Sequence, residues 1–177
     1  LLKGAKVDVI EGTAQIAAPG QVDVTGADGA VTRYTAERIL AATGSVNVRP
    51  PIPGLELPGV MTSDELLEGT DTPYQSIVII GGGVIGVEFA TFYSHLGCQV
   101  TLVEGMGKEL TVTGEKVLCA IGRRAYFDGL FAEGLTPALN GKRLLVDESY
   151  QTSIPGVYAI GDASAAVQLA HVAAAQG

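Results

Sequence analysis

The sequence predicts an α/β fold built on a parallel sheet, with a meander of short antiparallel strands ahead of it. Three observations predict this. A β-branched run at 76–80 leads into glycines, then a helix-period apolar pattern, then a second strand-like run at 99–103. Residues 7–40 break into short strand-like runs separated by glycine-containing turns. Hydrophobic residues make up 47% and aromatics only 6%, so the core is aliphatic, the usual filling of buried parallel strands.

Composition narrows the function classes. Glycine supplies 24 of 177 residues, about twice the usual ~7%, and most of these glycines flank apolar runs, so tight turns fit better than disorder. A net charge of −8 argues against a nucleic-acid partner, which calls for a basic face. No apolar run approaches the ~18 residues of a membrane span, because Gly81 to Gly83 and Gly86 interrupt the strongest candidate. No basic stretch with an apolar run behind it opens the chain, so no export signal is read. Two cysteines, Cys98 and Cys119, are too few for a disulfide scaffold, and a cytoplasmic setting is expected.

In chain order, Leu1-Leu2-Lys3-Gly4 reads as a helix end with its glycine cap, implying helix upstream. Runs at 7–10, 13–16, 21–25 and 31–34 follow as strands, with Asp28-Gly29 as a hairpin turn. Residues 38–42 form a buried strand ending in Thr43-Gly44, and the proline-rich stretch 49–54 is a linker. Ser63 and Asp64 cap a short helix over 65–67. After the 76–80 strand, a helix carries Ile85, Phe89, Phe92 and Leu96 on one stripe and stops at Gly97. Further strands fall at 99–103, 117–121 and 157–160, and an alanine-rich helix at 167–176.

One connection fails a geometric test. Parallel neighbours need a crossover of roughly a dozen residues or more, usually with a helix. Twelve residues separate Glu104 from Val117, and they include glycines 105, 107 and 114 and β-branched Thr111, Val112 and Thr113. That is too short and glycine-rich for a right-handed helical crossover, so sequence is expected to be missing between Gly105 and Thr113. A β-hairpin between the second and third strands is the alternative.

Gly81-x-Gly83-x-x-Gly86 gains its force from its setting: a strand feeds it, a helix leaves it, and Glu104 ends the next strand 18 residues after Gly86. Gly81 permits the turn, Gly83 admits a pyrophosphate to bare backbone, and Gly86 lets helix and strand pack closely. Val84 and Ile85 begin the helix, whose N-terminus offers free N–H groups to phosphate. Glu104 would accept hydrogen bonds from the adenine-ribose hydroxyls and repel a 2′-phosphate, favouring NAD over NADP. A glycine turn beside a surface glutamate is the bland alternative. Glu88, in the first turns of the helix, is either an acid favoured by the helix dipole or a group directed at a second cofactor.

The strings ILAATGS (39–45), RPPIPGLELPGVMTSDELL (49–67), VIIGGGVIGVEFATFYSHLGCQVTLVE (78–104), VLCAIGRR (117–124), TSIPGVYAIGD (152–162) and QLAHVAAAQG (168–177) occur in this order. Together they resemble the pyridine-nucleotide disulfide oxidoreductases, and within them the dihydrolipoyl dehydrogenases most. The resemblance implies a partial Rossmann-like FAD/NAD-binding flavoprotein fold. Residues 1–72 would be a partial FAD-binding domain with the β-meander, 73–125 a partial NAD-binding domain, and 126–177 the returning FAD segment.

The resemblance also implies site residues. Thr43 and Gly44 would lie near the FAD adenosine half, and Asp162 would bond the ribityl chain, although an N-cap of the last helix is the alternative for Asp162. Leu169, Ala170 and His171 would begin a helix facing the flavin, where its dipole favours negative charge. Gly122 would line the NAD site, and Glu88 matches a glutamate that pairs with a lysine near the flavin. The implied reaction carries electrons from a dihydrolipoyl dithiol through an enzyme disulfide and FAD to NAD⁺. The implied partner is a lipoyl-bearing protein of a 2-oxoacid dehydrogenase or glycine-cleavage system, and the parent would be a homodimer.

The sequence departs from the family's pattern in what it lacks. It contains no C-x4-C pair, no first FAD glycine loop and no His-Glu acid–base pair. Cys98 and Cys119 are 21 positions apart, so both read as structural, and His95 suits the end of its helix. The 177 residues alone are therefore expected to turn over no lipoamide. Other disulfide reductases, NADH oxidases and a non-catalytic dinucleotide-binding fragment remain alternatives, as does a remnant that folds only with a partner chain.

Overall fold

The computed structural model describes residues 2–69, 74–105, 107 and 111–177. Its elements in order are a 3-10 turn (Leu2–Ala5), β1 (Thr13–Ala18), β2 (Gln21–Thr25), β3 (Val31–Thr35), β4 (Ile39–Ala41), β5 (Ser45–Asn47), β6 (Val60–Thr62), α1 (Ser63–Glu68) and β7 (Ser76–Ile80). They continue with α2 (Val84–His95), β8 (Gln99–Val103), β9 (Lys116–Cys119), β10 (Arg123–Ala125), β11 (Leu139–Asn140), β12 (Arg143–Leu144), β13 (Val157–Ala159), a second 3-10 turn (Gly161–Ala163) and α3 (Ala170–Gln176). They group into two compact units, Leu1–Ser45 with Ala125–Gly177, and Val46–Arg124.

In the first unit β1, β2 and β3 form the expected antiparallel meander. The β2–β3 turn closes on Gly26 N–H donating to Ala30 O (2.9 Å) and Ala30 N–H to the Asp28 carboxylate (3.0 Å), the Asx-type chemistry that favours Asp-Gly. Ile16 is buried, and its backbone bonds Leu130 (2.6 Å) and Ala132 (3.0 Å), tying the meander to the returning chain. β4 and β13 pair in parallel with Ile39 opposite Val157 and Ala41 opposite Ala159. Buried Val157, Ala159, Ala41, Leu144 and Ala163 make this pair the centre of the unit.

The second unit holds a four-stranded parallel sheet in the order β6-β9-β7-β8. β7 is central, and Ile77, Val78 and Ile79 are at most 3% exposed, which is why its sequence is apolar without alternation. Leu66, Tyr74, Tyr93, Cys98 and Leu118 complete the core. Among the described residues no helix is long and apolar enough to cross a membrane.

Several expectations are corrected. Gly4 lies inside the 3-10 turn rather than capping a helix, and Lys6 takes the positive φ of 57° (Leu1 is outside the described residues). Residues 7–10 form no strand, and Val7, Val9 and Ile10 are exposed. The cap of α1 is Thr62, not Ser63 or Asp64, because Thr62 and Glu65 have the spacing for a reciprocal capping box. On α2, Phe92 and Leu96 are exposed, and the packed face runs through Ile85, Gly86, Phe89, Ala90 and Tyr93. The last helix starts at Ala170 rather than at 167.

The compact units divide at Ser45/Val46, and β6 pairs with β9, which brings residues 60–62 into the parallel sheet. The hairpin alternative fails too, since β9 runs parallel to β7 on the side away from β8. The expected gap between Gly105 and Thr113 falls partly on Met106 and residues 108–110, which lie outside the described residues. Cys98 and Cys119 are both buried and unpaired, and burial pushes the Cys98 thiol up, so it stays protonated as a core group.

Candidate functional site

In the 46–124 unit, β7 delivers the chain to the C-terminal edge of the parallel sheet, and residues 81–83 turn it into α2. Gly81 has φ 113° and its N–H donates to Val103 O (2.9 Å), which joins the loop to the end of β8. A Cβ at Gly81 would collide with the Ala120 carbonyl beyond β9, and one at Gly86 would collide with Gly81 O while also meeting Ile79 Cγ2 at 3.4 Å. Gly83 differs: it caps α2 with extended backbone and no side-chain cap, and open space surrounds it. Two glycines are thus required by packing and the third leaves bare backbone facing outward. This is the division of labour a pyrophosphate cradle demands.

Val84 and Ile85 open α2, with Val84 exposed and Ile85 packed on the core. Glu104 follows β8, and its carboxylate accepts the Gly82 N–H at 2.5 Å, so the expected ribose-binding acid is held against the glycine loop. Gly122 follows β9, with its carbonyl accepting the Val48 N–H (2.9 Å) and open space where a Cβ would lie. Glu88 is exposed on α2. His95 closes α2, its Nδ1 bonded to Thr91 O at 2.8 Å.

In the other unit the parallel β4–β13 pair ends at Thr43-Gly44 on one strand and Gly161-Asp162 on the other. Thr43 donates its hydroxyl to Tyr126 O, and Tyr126 N–H donates to Gly44 O at 2.9 Å. The Asp162 carboxylate accepts the Ser45 hydroxyl at 2.6 Å. Asp162 therefore does not cap the last helix: it lies in the 3-10 turn Gly161–Ala163, and Leu169 occupies the cap of α3 without a side-chain bond. Leu169 and Ala170 are both exposed. Gln176 of α3 accepts the Gly161 N–H at 2.8 Å and fixes the helix to the turn.

Sequence reasoning missed a second group of residues in the 46–124 unit. Arg123 donates to Asp64 (2.8 and 3.3 Å) and to Asn47 Oδ1 (3.1 Å), and Ser63 donates to the same Asn47 oxygen (2.9 Å). Arg49 pairs with Glu65 at 2.5 Å. Paired acids after a cap and arginines beside glycines were visible in the sequence, but nothing local links them. Among the described residues no group of His, Cys, Asp and Glu could hold a metal ion.

The family model described as pyridine nucleotide-disulphide oxidoreductase matches residues 1–117 and 105–177. The chain is 35% identical over 226 residues to a dihydrolipoyl dehydrogenase of Acholeplasma laidlawii, covering 100% of this chain and 65% of that protein. It is 33% identical over 224 residues to one of Pseudomonas aeruginosa, covering 100% and 48%. Among solved structures, LpdA from Mycobacterium tuberculosis has a TM-score of 0.85 at 26% identity, over 99% of this chain and 50% of that one. The Cu(II) complex of the flavoprotein disulfide reductase RclA from Escherichia coli has a TM-score of 0.88 at 23% identity, a likeness of fold. The chain spans about half to two thirds of the length of these curated relatives. The aligned 226 residues exceed the 177 of the chain, so the relative carries residues within the aligned span that have no counterpart here. The two matched stretches meet at 105–117. The chain belongs to the pyridine nucleotide-disulphide oxidoreductase family.

Proposed function

We propose that this chain supplies the NAD-binding loop and part of the FAD-binding frame of a flavoprotein oxidoreductase of the dihydrolipoyl dehydrogenase type. The observation that carries the reading is the strand–glycine loop–helix unit of residues 76–95 with Glu104 bonded to its loop. Gly83 and the uncapped start of α2 bind the pyrophosphate, and Glu104 receives the adenine-ribose hydroxyls. Thr43, Gly44, Asp162 and the start of α3 hold FAD, with Ser45 fixing one oxygen of Asp162 and leaving the other for a ribityl hydroxyl. FAD, when bound, carries an electron pair between a thiol couple and nicotinamide. The chain's own residues bind and orient, since neither of its cysteines forms the redox pair.

The 35% and 33% identities to dihydrolipoyl dehydrogenases support a lipoyl-bearing protein as partner and a homodimeric parent. Two buried unpaired cysteines support a cytoplasmic location. The meeting of the two family matches at 105–117 supports a missing stretch of the NAD-binding domain there. Residues 73–125, which fall almost wholly in the 46–124 unit, are accordingly proposed as the NAD-binding part, and 1–72 with 126–177 as the FAD-binding part.

A chimera tests the assignment. Residues 76–104 replace the corresponding stretch of the Acholeplasma laidlawii relative, and NAD-linked lipoamide reduction is measured. The chimera is expected to retain turnover, while a protein of these 177 residues alone shows none. A folded chimera that has lost NADH binding would overturn the dinucleotide assignment. Lipoamide turnover by the 177 residues would overturn the placing of the thiol chemistry outside them.

A further inference from the structure

We propose that Asp64 is a positioning residue for the dinucleotide site, acting through Arg123 to hold residues 120–122 against the glycine loop. The proposal rests on the dinucleotide reading above. Asp64 lies in the first turn of α1 and takes the Arg123 guanidinium with both carboxylate oxygens, Nη1 to Oδ1 at 2.8 Å and Nη2 to Oδ2 at 3.3 Å. This two-point geometry fixes orientation as well as distance. Asn47 Oδ1 accepts from the same Nη1 at 3.1 Å and from Ser63 Oγ at 2.9 Å, which closes the group.

Arg123 is covalently next to Gly122, whose carbonyl accepts the Val48 N–H at 2.9 Å. Two residues earlier, Ala120 donates its N–H to Ile80 O at 2.8 Å, and its carbonyl would collide with a Cβ on Gly81. Backbone therefore rests on backbone, with no side chain to absorb a shift. A displacement of Arg123 passes through residues 120–122 to the first glycine of the loop.

α1 is a firm anchor for this purpose. Its capping box joins Thr62 and Glu65, Glu65 pairs with Arg49 at 2.5 Å, Arg49 donates to Leu55 O at 2.8 Å, and Leu66 is buried in the core. The Arg123 hydrogen bond holds the Asp64 carboxyl below its ordinary value, in keeping with a formed pair. Half-exposed ion pairs add little to global stability, so the effect of Asp64 is expected in ligand binding and not in unfolding.

The test measures NADH binding by fluorescence and backbone amide exchange at 81–83 and 120–122, in the unaltered chain and in Asp64→Ala, Asp64→Glu and Arg123→Lys. Asp64→Ala is expected to weaken NADH about fivefold and to speed exchange at 120–122, with the unfolding midpoint little changed. Asp64→Glu restores most of the affinity, and Arg123→Lys, which keeps the charge but loses the fork, falls between. Affinity within twofold of the unaltered chain for both Asp64→Ala and Arg123→Lys, with unchanged exchange, overturns the proposal alone. An unaltered chain that binds no NADH overturns the dinucleotide reading and this proposal with it.

Discussion

The loop after β7 and the turn after β13 both sit at the C-terminal ends of parallel strands, yet they are assembled from very different lengths of chain. In the 46–124 unit, strand, glycine loop and helix are contiguous from Ser76 to His95, and Val103, Glu104 and Ala120, at the ends of the neighbouring strands, meet the loop. In the other unit, Ser45 reaches Asp162 across 117 positions of sequence. The first arrangement depends on steric permission at two glycines, Gly81 and Gly86. The second depends on the register of β4 against β13, which brings Thr43 and Gly161 to one edge. The two sites should therefore fail in different ways when mutated.

The largest effect is expected at Gly86. Its Cβ would collide with Gly81 O, so Gly86→Ala should cost about 3 kcal/mol in urea or thermal unfolding and abolish NADH binding. Gly83→Ala should leave stability within about 0.5 kcal/mol, because the site is open, and still weaken NADH. Equal stability losses at the two positions would erase the distinction between packing and ligand-facing glycines.

In the other unit Gly161→Ala is expected to cost about 1–2 kcal/mol, since φ is 65° and the new Cβ would meet Ala173 Cβ at 3.1 Å. Ser45→Ala removes one hydrogen bond to a carboxylate and should cost about 1 kcal/mol, with weaker flavin binding in titrations. A loss of flavin binding without loss of stability would mean that Ser45 orients Asp162 and does not hold the strands.

The smallest effect concerns pH. Hydrogen bonds from Arg123 to Asp64 and from the Thr62 N–H to Glu65 hold both carboxyls below their ordinary values of 3.8 and 4.5. The unfolded chain thus binds more protons, and this contribution to stability is full above those values and lost as pH falls through the lower folded ones. Amide signals of residues 62–66, followed by NMR from pH 6 to 3, should show α1 loosening in that window. Asp64→Asn with Glu65→Gln should flatten the dependence.

The contrast between the two sites also explains what could be read from sequence. Ser76–Ile80, the hairpin at Asp28-Gly29, Gly97 and Gln99–Val103 were legible because strand composition, turn chemistry and capping act within a few residues. The turn at the glycine loop and the position of Glu104 just after β8 were legible for the same reason. The apolar stripe of α2 was misread, because Phe92 and Leu96 share a helical period with Ile85 and Phe89 yet face outward. Tertiary packing in the core that holds Tyr74 and Cys98 selects Tyr93 over Phe92. Asp64–Arg123 lay beyond reach, because parallel pairing of β6 with β9 is what brings residues 59 positions apart together. The roles of Thr43 and Asp162 came from family resemblance and not from local chemistry.

Under the proposed function, residues 81–104 form an NAD-selective dinucleotide site. A calorimetric titration of the 177-residue protein with NADH and NADPH tests it directly, with Glu104→Gln alongside. NADH is expected to bind more tightly than NADPH, and Glu104→Gln to narrow the gap, because the carboxylate no longer repels a 2′-phosphate. Binding of neither nucleotide, or NADPH binding as tightly as NADH, would contradict it.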